Sequence, residues 1–281
     1  MTSIGIITHL KKLSLEDLFP KEITKLYICK TQCKKILMII SENVIILLTR
    51  RFGDSSVIFH SFSKERGKIS FLAKGALRPK SKLSGLIQTL NHIRVEYQFK
   101  ENKDLFTIRS AELLDYHKNI RVSLDKTAIA ITITELIDKC IHTHYVNENI
   151  FDLLKDSLEF INNENLDYYC LAKFAMTLTK FLGFEIDFSL APENLDTIKF
   201  YPIASSFENN LNNYNEKYNE RALKISKETL TLLKKIQKEE LQDKDKQDGK
   251  RFLSILRFYQ SYLSSHLDKQ IKLKTLELLS D

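Results

Sequence analysis

The sequence predicts an α+β protein in which a five-stranded OB-type β-barrel is followed by an all-helical domain. Up to about residue 112, apolar and polar residues alternate with the period of two that is typical of half-buried strands. From Ser123 onward, apolar residues recur every three or four positions, which is the period of helices packed on one face. Positive charge is also concentrated in the strand-rich part.

Five segments have strand character, and the clearest is 93–99. Ile93, Val95 and Tyr97 alternate there with charged or polar residues, which predicts one buried and one solvated face. Residues 101–104 are predicted to form the hairpin loop to the last strand. Five short strands, with a helical or irregular passage over 82–90, fit a small Greek-key barrel, a scaffold that often binds oligonucleotides. The predicted strands are 44–48, 57–62, 68–74, 93–99 and 105–110.

Helical periodicity predicts helices over 124–144, 151–161, 168–182, 222–238 and 252–267. Gly183 is a suitable residue to end the third of them. Two polar stretches, 208–220 and 239–250, are predicted to be solvated loops. We therefore divide the chain into residues 1–37, an N-terminal extension; 38–121, the OB-type barrel; and 122–281, the helical domain.

The charge distribution favours an acidic partner for the barrel. The formal net charge of the 281-residue chain is +7. Between positions 44 and 121, fifteen Lys or Arg residues stand against seven Asp or Glu residues, so this part alone carries +8. Charge clustered on one domain is typical of a nucleic-acid-binding face.

Residues 64–82, which we call the basic ribbon, contain seven cationic residues and one acidic residue. Such a ribbon suits a phosphate backbone, because each neutralised phosphate releases counterions and adds affinity. The alternative is a solvated edge strand, where lysines prevent unwanted strand pairing. The predicted nucleic-acid-binding residues are Lys64, Arg66, Lys68, Lys74, Arg78, Lys80 and Lys82.

Four aromatic residues of the barrel, Phe71, Tyr97, Phe99 and Phe106, can stack on unpaired bases or pack in the core. The core is favoured, since alternation places Tyr97 and Phe99 on the same face as Ile93 and Val95. No catalytic residue is predicted, since no phosphate-binding loop or nucleophile elbow is complete.

No metal and no other cofactor is predicted. Cys140, His142 and His144 are closely spaced but lack a fourth ligand, and Cys29 and Cys33 form only half a tetrahedral site. Four scattered cysteines predict reduced thiols and a cytoplasmic protein.

The segments Phe-Ser-Lys-Glu-Arg-Gly-Lys (62–68) and Ala-Lys-Gly-Ala-Leu-Arg-Pro-Lys-Ser-Lys-Leu (73–83) resemble the N-terminal signature of the bacterial recombination mediator RecO family. The resemblance extends to 47–56 and 110–115, with weaker echoes at 182–184 and 262–267. Because it begins at Met38, this residue is an alternative start of translation. Family members often carry a four-cysteine zinc module after the Leu-Gly-Phe position, but this chain has no cysteine beyond Cys170.

The resemblance implies a non-enzymatic mediator of DNA repair and homologous recombination in the RecF pathway. Such a protein binds single-stranded and duplex DNA, anneals complementary strands, and contacts the C-terminal tail of single-stranded DNA-binding protein. With RecR it helps to load RecA, in the cytoplasm and at the nucleoid, without a membrane. Two alternatives remain open: a nucleic-acid-modifying enzyme that uses the barrel for docking, and an RNA-binding protein.

Overall fold

A computed structural model describes residues 38–100, 103–164, 168–208, 221–242, 245 and 249–278. The predicted N-terminal extension over 1–37, residues 209–220 of the predicted loop at 208–220, and residues 243, 244 and 246–248 of the predicted loop at 239–250 lie outside these residues.

The N-terminal part is a closed five-stranded barrel with the strand order β1-β2-β3-β5-β4. β1 is long enough to close it, because its first half pairs with β4 and its second half with β2. All pairs are antiparallel except β3 with β5. The strands are β1 (Met38–Phe52), β2 (Ser56–Ser63), β3 (Gly67–Ala73), β4 (His92–Phe99) and β5 (Leu105–Asp115). The five predicted strands are confirmed, and their alternation matches the barrel, with Ile93, Val95 and Tyr97 inside and Arg94 and Glu96 outside.

Helices dominate the C-terminal part, as the change of period predicts. Ser123 and Asn147 cap two of them, each accepting a hydrogen bond from a backbone N–H in the first turn. The helices are α1 (Lys118–Arg121), α2 (Leu124–Cys140), α3 (Glu148–Asn163), α4 (Tyr169–Phe181), α5 (Lys227–Gln237), α6 (Gly249–His266) and α7 (Lys274–Leu278). Gly183 follows α4 with φ of 85°, as expected of a residue that ends a helix.

The structure corrects three details of the helical part. α2 ends at Cys140 and does not reach residue 144. The helix predicted from residue 222 begins at Lys227, because the preceding residues form a strand. That strand, β8 (Leu223–Ser226), joins β6 (Thr197–Tyr201) and β7 (Ser206–Phe207) in a three-stranded sheet that the helical periodicity does not anticipate.

The barrel and the helices share one buried cluster. Ile45, Leu47, Phe62 and Leu90 of the barrel part pack in the same core as the helices. A second cluster, which includes Phe59, Phe71 and Tyr97, fills the barrel interior. One wall of the barrel is therefore covered by the helices, so a ligand can reach the barrel only at its other walls.

Candidate nucleic-acid interface

The basic ribbon follows the hairpin between β2 and β3, then β3, then the irregular segment after it. The structure divides its seven cationic residues into two sets. Lys64, Arg66 and Lys68 point toward acidic groups of the protein itself. Lys74, Arg78, Lys80 and Lys82 are exposed to solvent. We call these two sets the anchored half and the exposed half of the ribbon.

Lys68 joins the barrel to α2 through a buried ion pair. Its Nζ lies 3.0 Å from Asp138 Oδ1, and the side chains of Lys68 and Asp138 are only 13% and 8% exposed. Nζ also donates to the backbone carbonyls of Asp138 and Ile141. An ammonium group with these partners is occupied within the protein, so Lys68 fixes the position of the ribbon.

Asp138 receives a second cross-link from the barrel. His60 Nδ1 lies 2.8 Å from Asp138 Oδ1. Burial raises the pKa of this carboxyl group, but the hydrogen bond from His60 and the charge of Lys68 outweigh it and lower the pKa to about 2. Asp138 is therefore a carboxylate at neutral pH, and it holds β2 and β3 against α2.

Lys64 and Arg66 have weaker or more exposed partners. Lys64 Nζ lies 3.1 Å from Asp152 and 3.6 Å from Glu148, both on α3. Hydrogen bonding to Asp152 raises the pKa of Lys64. Arg66 Nε lies 3.6 Å from Glu42, and its guanidinium group covers the ring of Phe99 at 4.8 Å.

Glu42 is a buried acid behind Arg66. It accepts hydrogen bonds from the hydroxyl of Tyr97 at 2.7 Å and from Ser63. Burial raises the pKa of Glu42 above its ordinary value, because its effect exceeds the lowering by these hydrogen bonds and by the charge of Arg66. These contacts place Arg66 as a structural partner of the barrel wall.

Gly67 lies in close contact with the helical part. Its φ is 67°, and a Cβ at this position would lie 1.9 Å from the carbonyl oxygen of Tyr145. The backbone N–H of His144 also donates to the carbonyl of Lys68 at 2.9 Å. Only a glycine allows this close approach.

The exposed half of the ribbon is presented by a compact turn. Ala76 is buried and Leu77 packs against the barrel core, while the N–H of Leu77 donates to Ser55 at 2.8 Å. The N–H of Arg78 donates to Gly75, which has a φ of 68°. In the described part of the chain, Lys74, Arg78, Lys80 and Lys82 form no ion pair. Four cations on an ordered turn can therefore meet an anionic ligand without losing an internal partner.

A cleft in the barrel wall contains three further cations, which lie outside the basic ribbon. It has a volume of about 320 Å³ and lies between the end of β4 and the start of β5. Lys100, Lys103 and Arg109 line it, together with Ile39, Gln98, Leu105, Phe106 and Thr107. These three residues contribute to the net charge of +8 over residues 44–121, but they are scattered in the sequence and lie outside the basic ribbon at 64–82.

Three of the four barrel aromatics belong to the core. Phe71, Tyr97 and Phe106 are at most 2% exposed, and Phe71 packs edge-on against Tyr97 at 4.9 Å. Phe99 is partly buried and stacks on Phe106 at 5.6 Å. These aromatic residues therefore pack in the barrel core, which is the interpretation that the sequence favours over base stacking.

The Cys140, His142 and His144 positions do not converge. Cys140 is buried at the end of α2, and burial raises the pKa of its thiol to about 12. His144 Nε2 lies 3.2 Å from Asp104. Within the described ranges, no group of three His, Cys, Asp or Glu side chains is placed to hold a metal ion. No helix in these ranges has the length and apolar character needed to span a membrane.

Comparison with known proteins assigns both parts of the chain to one family. Residues 38–117 match the model described as "Recombination protein O N terminal", and residues 121–276 match "Recombination protein O C terminal". The proteins named DNA repair protein RecO from Bacillus cytotoxicus, Bacillus cereus and Bacillus anthracis are each 32% identical over 117 residues, which is 42% of this chain. The matched region spans 46% of the length of these relatives.

Proposed function

Since the chain belongs to the recombination protein O family, we propose that it acts in DNA repair and homologous recombination by binding DNA on the exposed half of the basic ribbon. The relatives' name, DNA repair protein, supports the repair role. The ligand in this proposal is single-stranded or duplex DNA, and the mode of action is binding and annealing, with no chemical step.

One observation carries this proposal. Lys74, Arg78, Lys80 and Lys82 are exposed on one turn, and no carboxylate of the described residues neutralises them. Phosphate contacts of this kind supply affinity without reading the base sequence. The anchored half has a different role in the proposal, because Lys64, Arg66 and Lys68 already face acidic groups of the protein, and Lys68 holds the ribbon in place.

Annealing follows from the same charges. Two complementary strands repel each other through their phosphates, and a cationic surface that binds both strands weakens this repulsion. The ordered turn keeps the four charges together, so the surface does not have to be assembled when a strand arrives. No catalytic side chain is needed for this step.

Protein partners belong to the helical part in this proposal. We assign to it the contacts with the tail of single-stranded DNA-binding protein and with RecR, through which RecA is loaded. Exposed apolar side chains near the start of α2 support a contact surface there, since Val122 is 77% and Leu124 85% exposed.

The proposal is tested by reversing two charges of the exposed half, Lys74→Glu with Arg78→Glu. Both side chains are exposed, so the fold should be retained. We expect the affinity for DNA to fall about tenfold or more at 0.1 M salt. The slope of log affinity against log salt should fall by about 1.4 for single strands and about 1.8 for duplex, because two phosphate contacts are lost. Fluorescence anisotropy of labelled 20-mers across a salt series measures both quantities.

A matched control reverses two exposed lysines of the helical part, Lys224→Glu with Lys272→Glu. It changes the net charge equally and should change the salt slope little. Unchanged DNA affinity in the Lys74→Glu, Arg78→Glu protein would mean that the ribbon is a solvated edge, and would refute the proposal. Stronger binding to RNA of the same sequence, or cleavage of either strand by wild-type protein, would favour one of the two alternative functions.

A further inference from the structure

We propose that the cleft between β4 and β5 accepts one unpaired base of a bound strand, and that this makes the protein distinguish single-stranded from duplex DNA. The inference rests on the proposed DNA-binding function and adds a second contact to that surface. Its evidence is the course of β4 and β5, the lining of the cleft, and the pairing of β5 with β3 of the ribbon.

The cleft exists because β5 changes its pairing partner. The ladder between β4 and β5 ends at Tyr97 and Ile108. The preceding residues of β5 pair with β3, from Leu105 with Ser70 to Thr107 with Leu72. Beyond Tyr97, β4 pairs only with β1, where Gln98 is opposite Ile39. The two strands therefore separate, and each turns a backbone edge with N–H and C=O groups toward the gap.

The lining of the cleft suits a nucleotide. Ile39 and Leu105 supply an apolar surface, and Leu105 is 40% exposed. The backbone edges and Gln98 can hydrogen-bond the polar edge of a base. A volume of about 320 Å³ is near the lower limit of pockets that hold small ligands, which are about 300–1,000 Å³.

Three cations surround this apolar surface. Lys100, Lys103 and Arg109 are exposed, and among the described residues none of them forms an ion pair. Arg109 is the extra residue of a β-bulge, since Glu96 pairs with Ser110 and Tyr97 with Ile108. Bulges redirect side chains, and this one is part of the cleft lining.

The cleft lies on the strand that is next to β3 of the ribbon. β3 and β5 run parallel, and their ladder ends where Leu72 pairs with Thr107. Lys74 follows the end of β3 at Ala73, and Arg109 of the cleft lies two residues beyond Thr107 on β5. Cations on two neighbouring elements favour an extended polyanionic strand over a short acidic peptide. A base held in a duplex is paired and stacked, so only an unpaired base can enter.

The test compares two leucines on β5 that are equally exposed. Leu105 and Leu113 are each 40% exposed, but only Leu105 lines the cleft. Leu105→Ser should lower the affinity for a thymidine 20-mer about fourfold, since covering the exposed part of a leucine is worth this much. Its affinity for an abasic 20-mer and for a 20-base-pair duplex should stay unchanged. Leu113→Ser should change none of the three affinities.

A charge variant tests the phosphate contacts of the same cleft. Lys103→Gln with Arg109→Gln should weaken binding of the thymidine and abasic strands alike and lower the single-strand salt slope by about 1.4. Lys224→Gln with Lys272→Gln is its control.

The possible failures are distinguishable. If Leu105→Ser lowers the affinity for the abasic strand as much as for the thymidine strand, or changes neither affinity, no base enters the cleft and the inference is wrong. The proposed function does not depend on this result, since the Lys74→Glu, Arg78→Glu protein tests it separately. Loss of binding to an eight-residue Asp/Phe peptide in Leu105→Ser, with DNA affinities unchanged, would assign the cleft to an acidic peptide instead.

Discussion

Replacing Asp138 by Asn tests whether the anchored half of the ribbon is structural. The substitution preserves side-chain size and removes the charge that faces Lys68 Nζ at 3.0 Å and His60 Nδ1 at 2.8 Å. Because the pair is buried, the ammonium group of Lys68 would lose its counter-charge without gaining full hydration. Removing one partner of a buried pair costs about 3–5 kcal/mol, and the amide can still hydrogen-bond. We expect the free energy of unfolding to fall by about 3 kcal/mol at pH 7.

The stability difference between wild type and Asp138→Asn should also depend on pH. The pKa of Asp138 is about 2 in the folded protein, below its ordinary value of 3.8. Because the pKa is lower in the folded protein, Asp138 stabilises the fold at any pH above its unfolded-state pKa. This stabilisation is lost as the pH falls through the folded-state pKa. At about 1.4 kcal/mol per pKa unit, the loss is about 2 kcal/mol. The difference in stability between wild type and Asp138→Asn should therefore shrink by about this amount between pH 5 and pH 2.

Urea unfolding followed by circular dichroism at several pH values measures both quantities. The control is Asp152→Asn, which removes the exposed carboxylate near Lys64, and exposed pairs of this kind contribute little. Equal stability of wild type and Asp138→Asn at pH 7 would refute the structural role of the pair. A stability difference that does not change with pH would refute the lowered pKa.

Two further predictions concern Gly67 and Cys140. Gly67→Ala should destabilise the protein by about 3 kcal/mol in thermal unfolding, since backbone strain adds to the clash with Tyr145. Gly53→Ala is the control: its φ of 61° is similar but the space around it is open, so it should cost only about 1 kcal/mol. Cys140 should react with iodoacetamide at pH 8 far more slowly in the native protein than in urea, because its thiol is buried and its pKa is raised to about 12. Peptide mass spectrometry measures this rate, and equal rates in both conditions would contradict it.

Local sequence patterns predict the barrel well because its strands are long and one face of each is buried. Ile93, Val95 and Tyr97 show the alternation directly. The small sheet in the helical part escapes this kind of reasoning, since β7 has two residues and β8 four. Elements this short contain at most about one helical repeat and one or two alternations of a strand, and their pairing depends on tertiary contacts.

The sequence predicts a basic region but does not show which of its cations are paired within the protein and which are exposed. Counting charge identifies residues 64–82, but it gives Lys68 and Lys74 the same weight. The partner of Lys68 is Asp138, seventy positions later, so only the folded chain separates a neutralised lysine from an exposed one. The cleft depends on the switch of β5 from β4 to β3, a property of strand pairing that no local pattern records.

The buried cluster that Ile45, Leu47, Phe62 and Leu90 share with the helices makes the two parts of the chain thermodynamically dependent on each other. Melting of the helices would expose these side chains on the barrel wall, and the barrel would lose part of the burial that stabilises it. The described chain should therefore unfold in a single cooperative transition. A barrel produced without the helices would present an apolar face to solvent and would self-associate.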